Sequence, residues 1–206
     1  MSSRTHSCGS IATPDDLSAL LAWAGDYPDL TLDLGAGDAR YARDLAHAMP
    51  DRAVLAVDTC GTNATRQLRK APGNLRFLIA DARSLPHQLS SLDCTVVINF
   101  PWGSLLAALL RPEPDFVASL AGRPLVMRVN AGALAEAGFA FNDGVRRLVQ
   151  VLDRAGANPR VRALCPDDLR NIPSTWSKRL AFGRDPRAIE LRSVPPARLI
   201  EPNTSR

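Results

Sequence analysis

Apolar residues recur along this chain in two alternating rhythms: short continuous runs, and stretches in which every third or fourth position is apolar. The first suits strands buried on both faces, the second helices that bury one face. Leu30–Leu34, Ala53–Val57, Leu75–Ala80, Cys94–Asn99 and Pro124–Val129 are runs of the first kind, and each predicts a strand. Between them, helices are expected over Ala39–Ala48, Thr62–Ala71 and Trp102–Leu110. A further helix is expected over Asp143–Ala155, where Val145, Leu148, Val149 and Leu152 share a face. Ahead of the first strand, Thr13-Pro14-Asp15-Asp16 supplies a cap, a first-turn proline and first-turn acids. The helix it starts carries Leu17, Leu20, Leu21 and Ala24 and stops near Gly25. Arg160–Leu164 and Ala188–Val194 predict a late antiparallel hairpin interrupted by a long insertion, 165–187. Residues 1–12 are small and polar and predict a flexible arm.

Strands that alternate with helices predict an α/β fold, a mostly parallel seven-stranded sheet covered by helices on both faces. No internal repeat or linker divides the chain, so 1–206 is expected to be one domain. In such sheets the ligand lies beyond the carboxyl ends of the strands.

Composition changes this picture little. At 46% hydrophobic and 22% charged the chain is an ordinary globular one. Its net charge of +4 is compatible with a polyanionic partner. Apart from Lys70 and Lys178 every basic residue is arginine, which resembles the codon bias of a GC-rich bacterial genome and discounts that excess. Cys8, Cys60, Cys94 and Cys165 are scattered without zinc-ligand spacing, and predict buried or half-buried free thiols in a reducing compartment, with no metal site. No apolar stretch approaches 18 residues and no signal-like segment opens the chain, so a cytoplasmic location without a membrane partner is expected.

The candidate chemistry collects at strand ends. Asp33-Leu34-Gly35-Ala36-Gly37-Asp38 lies where the first strand turns into a helix, and glycines at alternate positions let backbone approach a ligand. A dinucleotide fingerprint would want a third glycine where Arg40 stands, which weakens a pyrophosphate reading. The D-x-G-x-G-D pattern instead resembles motif I of S-adenosylmethionine (SAM) methyltransferases. Asp33 or Asp38 can there meet the cofactor's cationic amino group. Asp58, closing the second strand, is placed to accept the ribose hydroxyls. Asp81, closing the third, is placed to take the exocyclic amine of adenine, with Ala82 beside it. Any one of these acids reads equally well as a helix cap; three in register with Gly35 and Gly37 favour the cofactor.

After the fourth strand, Asn99-Phe100-Pro101-Trp102-Gly103 borders the same crevice, and its aromatic residues can stack on a planar substrate. The segment resembles the Asn-Pro-Pro-aromatic motif of amino-group methyltransferases in a different frame. In the late insertion, Ser174-Thr175-Trp176-Ser177-Lys178-Arg179 sets a tryptophan among polar and basic residues, unlike a core pattern. Trp23, in the first helix, reads as packing.

Gly35-Ala36-Gly37-Asp38, Pro101-Trp102-Gly103-Ser104-Leu105-Leu106 and Ser174-Thr175-Trp176-Ser177-Lys178-Arg179-Leu180 together resemble the 16S ribosomal RNA adenine-1408 N1-methyltransferases, the kanamycin–apramycin resistance family. The resemblance runs from about Leu30 to Leu191. It implies a class I SAM methyltransferase of Rossmann-like fold that yields S-adenosylhomocysteine and acts on the 30S subunit, as a monomer. It also implies that Trp102 and Trp176 clasp a flipped adenine, with Pro101 and Ser174 lining the pocket. Two positions depart from the family's pattern: Ala39, where glycine is frequent, and Asn99-Phe100, where small or aliphatic residues are commoner.

Adenine N1 keeps an unshared pair, so its methylation needs no general base; alignment of the reacting atoms and support of a cationic ring suffice. Arg66, Arg69 and Lys70 on the helix after the second strand, with Lys178, Arg179 and Arg184 in the insertion, are the candidate phosphate contacts. Alternatives are a methyltransferase for transfer RNA or a small amine, and a non-catalytic SAM- or RNA-binding relative. An NAD-dependent dehydrogenase is disfavoured by the missing third glycine.

Overall fold

The computed structural model describes residues 10–183 and 185–193. Eight strands form one sheet: β1 (Ser10–Ala12), β2 (Asp29–Leu34), β3 (Arg52–Asp58), β4 (Leu75–Ile79), β5 (Thr95–Asn99), β6 (Leu125–Asn130), β7 (Arg160–Ala163) and β8 (Ala188–Ser193). Their order across the sheet is β1-β4-β3-β2-β5-β6-β8-β7; only β8 runs antiparallel to its neighbours. The helices are α1 (Leu17–Gly25), α2 (Arg40–Ala48), α3 (Thr65–Leu68), α4 (His87–Ser90), α5 (Gly103–Leu110), α6 (Pro114–Leu120), α7 (Ala131–Glu136), α8 (Phe141–Arg154), α9 (Pro166–Asn171) and α10 (Thr175–Ala181).

Strand alternation decides which core each residue enters. Leu30, Leu32 and Leu34 of β2 join Leu55, Ile98 and Met127 in the main core, under Leu20 of α1, Leu109 of α5 and Leu148 of α8. The opposite face holds Val54, Ala56 and Phe77 against Ala42 and Ala46 of α2. A third cluster, Phe100, Leu164, Leu169, Ile172 and Ala188, seats the insertion on the sheet. Trp23 is packing: its Nε1–H donates to the Gly73 carbonyl at 3.2 Å and Arg76 lies over its ring.

The five early strands and the interrupted hairpin fall where the sequence predicts them, and the mostly parallel sheet of class I methyltransferases is present. Four differences have physical reasons. The eighth strand is Ser10–Ala12, the end of the expected arm, which pairs in parallel with β4 at Arg76–Leu78; residues 1–9 lie outside the described residues. The helix expected over 62–71 is one α-helical turn, because Lys70 and Ala71 bond three residues back rather than four as the chain approaches Pro72. Helices α4, α6, α7, α9 and α10 differ from the expectation, since four to seven residues hold too little periodicity to read. Cys60 and Cys165 are exposed and only Cys94 is buried, which corrects the expectation for the first two thiols; Cys8 lies outside the described residues.

Candidate active site

The strand order reverses between β2 and β5, whose following segments leave in opposite directions and open a crevice at their carboxyl ends. A cavity of about 670 Å³ occupies it. Asp33, Gly35, Gly37, Asp38, Asp58, Asp81 and Ala82 line it from one side, and Pro101, Trp102, Ser174 and Trp176 from the other. Segments as distant in sequence as those of Asp33 and Trp176 thus meet at one cavity.

The turn after β2 is fixed by backbone geometry. Gly35 has φ +73°, a conformation that favours glycine, and a Cβ there would lie 2.6 Å from the terminal Cδ2 of Leu105, which would have to shift. Gly37 has φ +57° with nothing within 4 Å of a Cβ, which leaves its cavity side open to a ligand. The Gly35 and Ala36 N–H groups donate to the Val57 carbonyl at 2.9 and 3.0 Å. Ala39, where the resembling family often has glycine, also lies in the left-handed region at φ +58°.

The acids differ in what already holds them. Asp58 accepts from the Gly37 N–H at 2.9 Å and the Cys60 N–H at 3.0 Å, tying the glycine turn to β3. Each oxygen keeps a lone pair for a further donor. Asp81 is gripped by Arg83, whose Nη2 lies 2.6 Å away, and this hydrogen bond holds its carboxyl below the usual range. Asp38 accepts from the Arg40 N–H at 3.2 Å and from the Thr175 hydroxyl at 2.8 Å. Asp33 is 1% exposed, and its Oδ2 has no hydrogen-bond partner. Burial pushes its carboxyl up to about 7, against the Asn99 hydrogen bond and the Arg128 charge and with help from Asp58 and Asp38. A buried carboxylate oxygen without a donor is costly, and a cationic ligand group is the partner that would relieve it. With the open approach at Gly37 and the cavity's size, these residues fit the amino-acid end of SAM.

On the facing side, Phe100 turns the chain at φ +50° while its N–H donates to the Arg128 carbonyl at 2.7 Å. Trp102 follows at the cavity edge and begins α5. Ser174 caps α10: its Oγ accepts from the Ser177 N–H at 3.0 Å. Trp176 is 39% exposed, and its ring stacks on Trp102 with centroids 5.0 Å apart and planes at 29°. Arg179 lies over the Trp176 ring at 5.2 Å. A base held between two rings requires their planes roughly 7 Å apart, twice the contact distance. The pair is therefore closed on itself.

Of the expected phosphate contacts, Arg66 and Arg179 line the cavity. Arg69, Lys70 and Lys178 lie outside its lining, and the helix expected to carry Arg66, Arg69 and Lys70 is shortened to Thr65–Leu68, which leaves Arg69 and Lys70 beyond its end. Arg184 lies outside the described residues. Tyr41, Thr59, Asn63 and Gln67 also line the cavity and belong to none of the motifs legible in the sequence. Arg128 and Glu190, buried beneath it as an ion pair at 2.8 Å, likewise lie outside those motifs. A lone arginine within Leu-Val-Met-Arg-Val-Asn was the available signal, because a charge in an apolar strand requires a partner.

Comparison with known proteins bears on this geometry. The NpmA family, described as 16S rRNA (adenine(1408)-N(1))-methyltransferase, matches residues 10–195. The Escherichia coli 16S rRNA (adenine(1408)-N(1))-methyltransferase is 25% identical over 211 residues, covering 82% of this chain and 87% of that protein. Among solved structures, the aminoglycoside resistance methyltransferase NpmB1 is 27% identical with a TM-score of 0.63, covering 86% of this chain and 93% of that one. A mutant of the 16S rRNA (adenine(1408)-N(1))-methyltransferase from Catenulisporales acidiphilia, solved with its cosubstrate SAM, is 23% identical with a TM-score of 0.71. The match covers 90% of this chain and 92% of that one, and supports the fold.

Proposed function

Because the chain belongs to the family of 16S rRNA (adenine(1408)-N(1))-methyltransferases, we propose that it acts as a monomer on the assembled 30S subunit, through the residues that line its cavity. It is a SAM-dependent rRNA methyltransferase of the aminoglycoside-resistance class. The observation that carries the residue-level reading is the Trp102–Trp176 pair at the edge of the glycine-turn cavity.

When bound, SAM supplies an electrophilic sulfonium methyl group. Asp33, Asp38 and the Gly35–Gly37 backbone hold its amino-acid end, and Asp58 accepts from its ribose hydroxyls. Ala82 and Asp81 would border its adenine, with Asp81, once it gives up one Arg83 contact, able to accept from the exocyclic amine. Trp102 and Trp176 part and receive the flipped adenine 1408 between them. Stacking offsets part of the cost of taking the base out of its surroundings. The ring becomes cationic as N1 is methylated, and two indole faces support that charge. Pro101 and Ser174 hold the two tryptophans in place, the first by fixing the turn after β5, the second by capping α10. No residue is needed as a general base, since N1 carries no proton to remove. Arg66 and Arg179 at the cavity, with Arg69, Lys70 and Lys178 around it, grip phosphates; a rigid RNA surface is recognised by shape through such dispersed contacts.

The test is methyl transfer from labelled SAM to purified 30S subunits, with the modified base mapped by reverse transcription. The expected result is label in 16S rRNA and a stop at adenine 1408. Unlabelled subunits, with cofactor binding intact, would overturn the substrate and leave the fold standing.

A further inference from the structure

The cofactor cavity is backed by a row of polar side chains, half-buried Asn99 and buried Arg128 and Glu190, that no part of the methyl-transfer reading uses. Strand register builds it. Asn99 of β5 is the direct partner of Arg128 on β6, and Arg128 is the direct partner of Glu190 on β8. All point to the same face of the sheet as Asp33 on β2. Arg128 donates from Nε to Glu190 Oε2 at 3.0 Å and from Nη1 to Asn99 Oδ1 at 2.7 Å, and its Nη2 pairs with Glu190 Oε2 at 2.8 Å. With its oxygen so engaged, the Asn99 amide turns its nitrogen toward Asp33, donating to Oδ1 at 3.5 Å. The other Asp33 oxygen, Oδ2, lies buried in the cavity wall without a partner.

We propose that Glu190, Arg128 and Asn99 form a positioning chain that aims the Asp33 carboxylate at the ammonium group of the cofactor's methionine end. The proposal rests on the reading of the cavity as the SAM site. A lone carboxylate at this depth would favour its neutral form and bond an ammonium poorly. The Asn99 hydrogen bond and the Arg128 charge both favour the ionised form, whereas Asp58 and Asp38 oppose it. Glu190 balances Arg128 and fixes its fork, and is itself shared with Arg162 at 3.7 Å and Arg192 at 3.3 Å. Tyr41 of α2 closes the row from above, with Arg128 5.7 Å from its ring centroid. Asn99 does not touch the reacting atoms in this scheme. It acts through Asp33, and its departure from the small or aliphatic residues commoner before Pro-Trp is explained by Arg128 beside it.

The experiment compares two nucleosides by calorimetry. S-adenosylhomocysteine carries the amino-acid end; 5′-methylthioadenosine has the same adenosine and lacks it. In Asn99→Ala, S-adenosylhomocysteine affinity should fall about tenfold, the loss of one charge-supporting hydrogen bond, with methylthioadenosine affinity unchanged within about twofold. Binding of the ammonium releases the proton that free Asp33 holds up to about pH 7, so wild-type affinity for S-adenosylhomocysteine should climb as pH rises toward 7 and level off above it. In Asn99→Ala that climb should extend to higher pH, while methylthioadenosine shows no such climb in either protein. Asn99→Leu, which fills similar space without hydrogen bonds, carries the same test if the alanine variant does not fold. Equal losses for both nucleosides, or no loss for either, would overturn the positioning chain alone. A wild-type protein that binds neither nucleoside would overturn the cofactor reading beneath it.

Discussion

The glycine turn after β2 and the insertion between β7 and β8 face the same cavity and are held there by different means. The turn is held by backbone: two left-handed glycines and main-chain bonds to β3, with Asp58 pinning the Gly37 N–H. The insertion has its own small core under α9 and α10, but reaches the cavity through side chains, the Thr175–Asp38 hydrogen bond and the Trp176–Trp102 stack. Backbone bonds are given up only with the fold. A hydroxyl bond and a ring stack are worth about 1 kcal/mol each and can be exchanged for ligand contacts. The difference teaches that the glycine turn is fixed by the fold itself, whereas the insertion meets the cavity through contacts that can be exchanged. On the proposed reading, the first, the cofactor half, would hold its ligand preformed, and a flipped base would part the Trp102–Trp176 pair of the second, the substrate half.

The largest expected effect breaks the substrate half alone. Trp176→Ala should lower methyl transfer to 30S subunits about 100-fold, roughly 2.7 kcal/mol, with S-adenosylhomocysteine affinity kept within about twofold. A retained full rate would count against the base clamp. Next, Gly35→Ala should strike the cofactor half and the fold together. The left-handed φ and the approach to Leu105 cost about 2 kcal/mol. Thermal unfolding and cofactor affinity should both show the loss, and a variant as stable as the parent would show that the turn yields more easily than its bonding implies. Smallest is Thr175→Val, which removes the tie between α10 and Asp38 at a cost of about 1 kcal/mol. Proteolysis within 165–187 should quicken several-fold while S-adenosylhomocysteine affinity stays constant. A matching loss of affinity would mean that the two halves are one unit rather than two.

Much of this was legible before any coordinate. Short continuous apolar runs such as Ala53–Val57, alternating with helical segments, are strands covered on both faces, so the sheet and its carboxyl-end crevice followed from run length and order. The acids and glycines at strand ends were legible for the same reason, since strand ends fix where side chains meet a ligand. The one-turn α3 and the short helices α4, α6, α7, α9 and α10 were not, because a helix that short is chosen by its tertiary seat rather than by its own periodicity.

The sequence by itself determined the strand–helix rhythm, the glycine turn with its three strand-ending acids, and two tryptophans placed outside any core pattern. Only the tertiary structure decided which side chains share a charge or a surface. Register across β5, β6 and β8 set Asn99, Arg128 and Glu190 in one row, and packing on Phe100 and Leu169 brought Trp176 onto Trp102. Local pattern reports a residue's own periodicity and nothing of its partner across a strand or a fold. Pairings as distant as Arg128 with Glu190, or Asp38 with Thr175, are set when the sheet closes and its faces are covered.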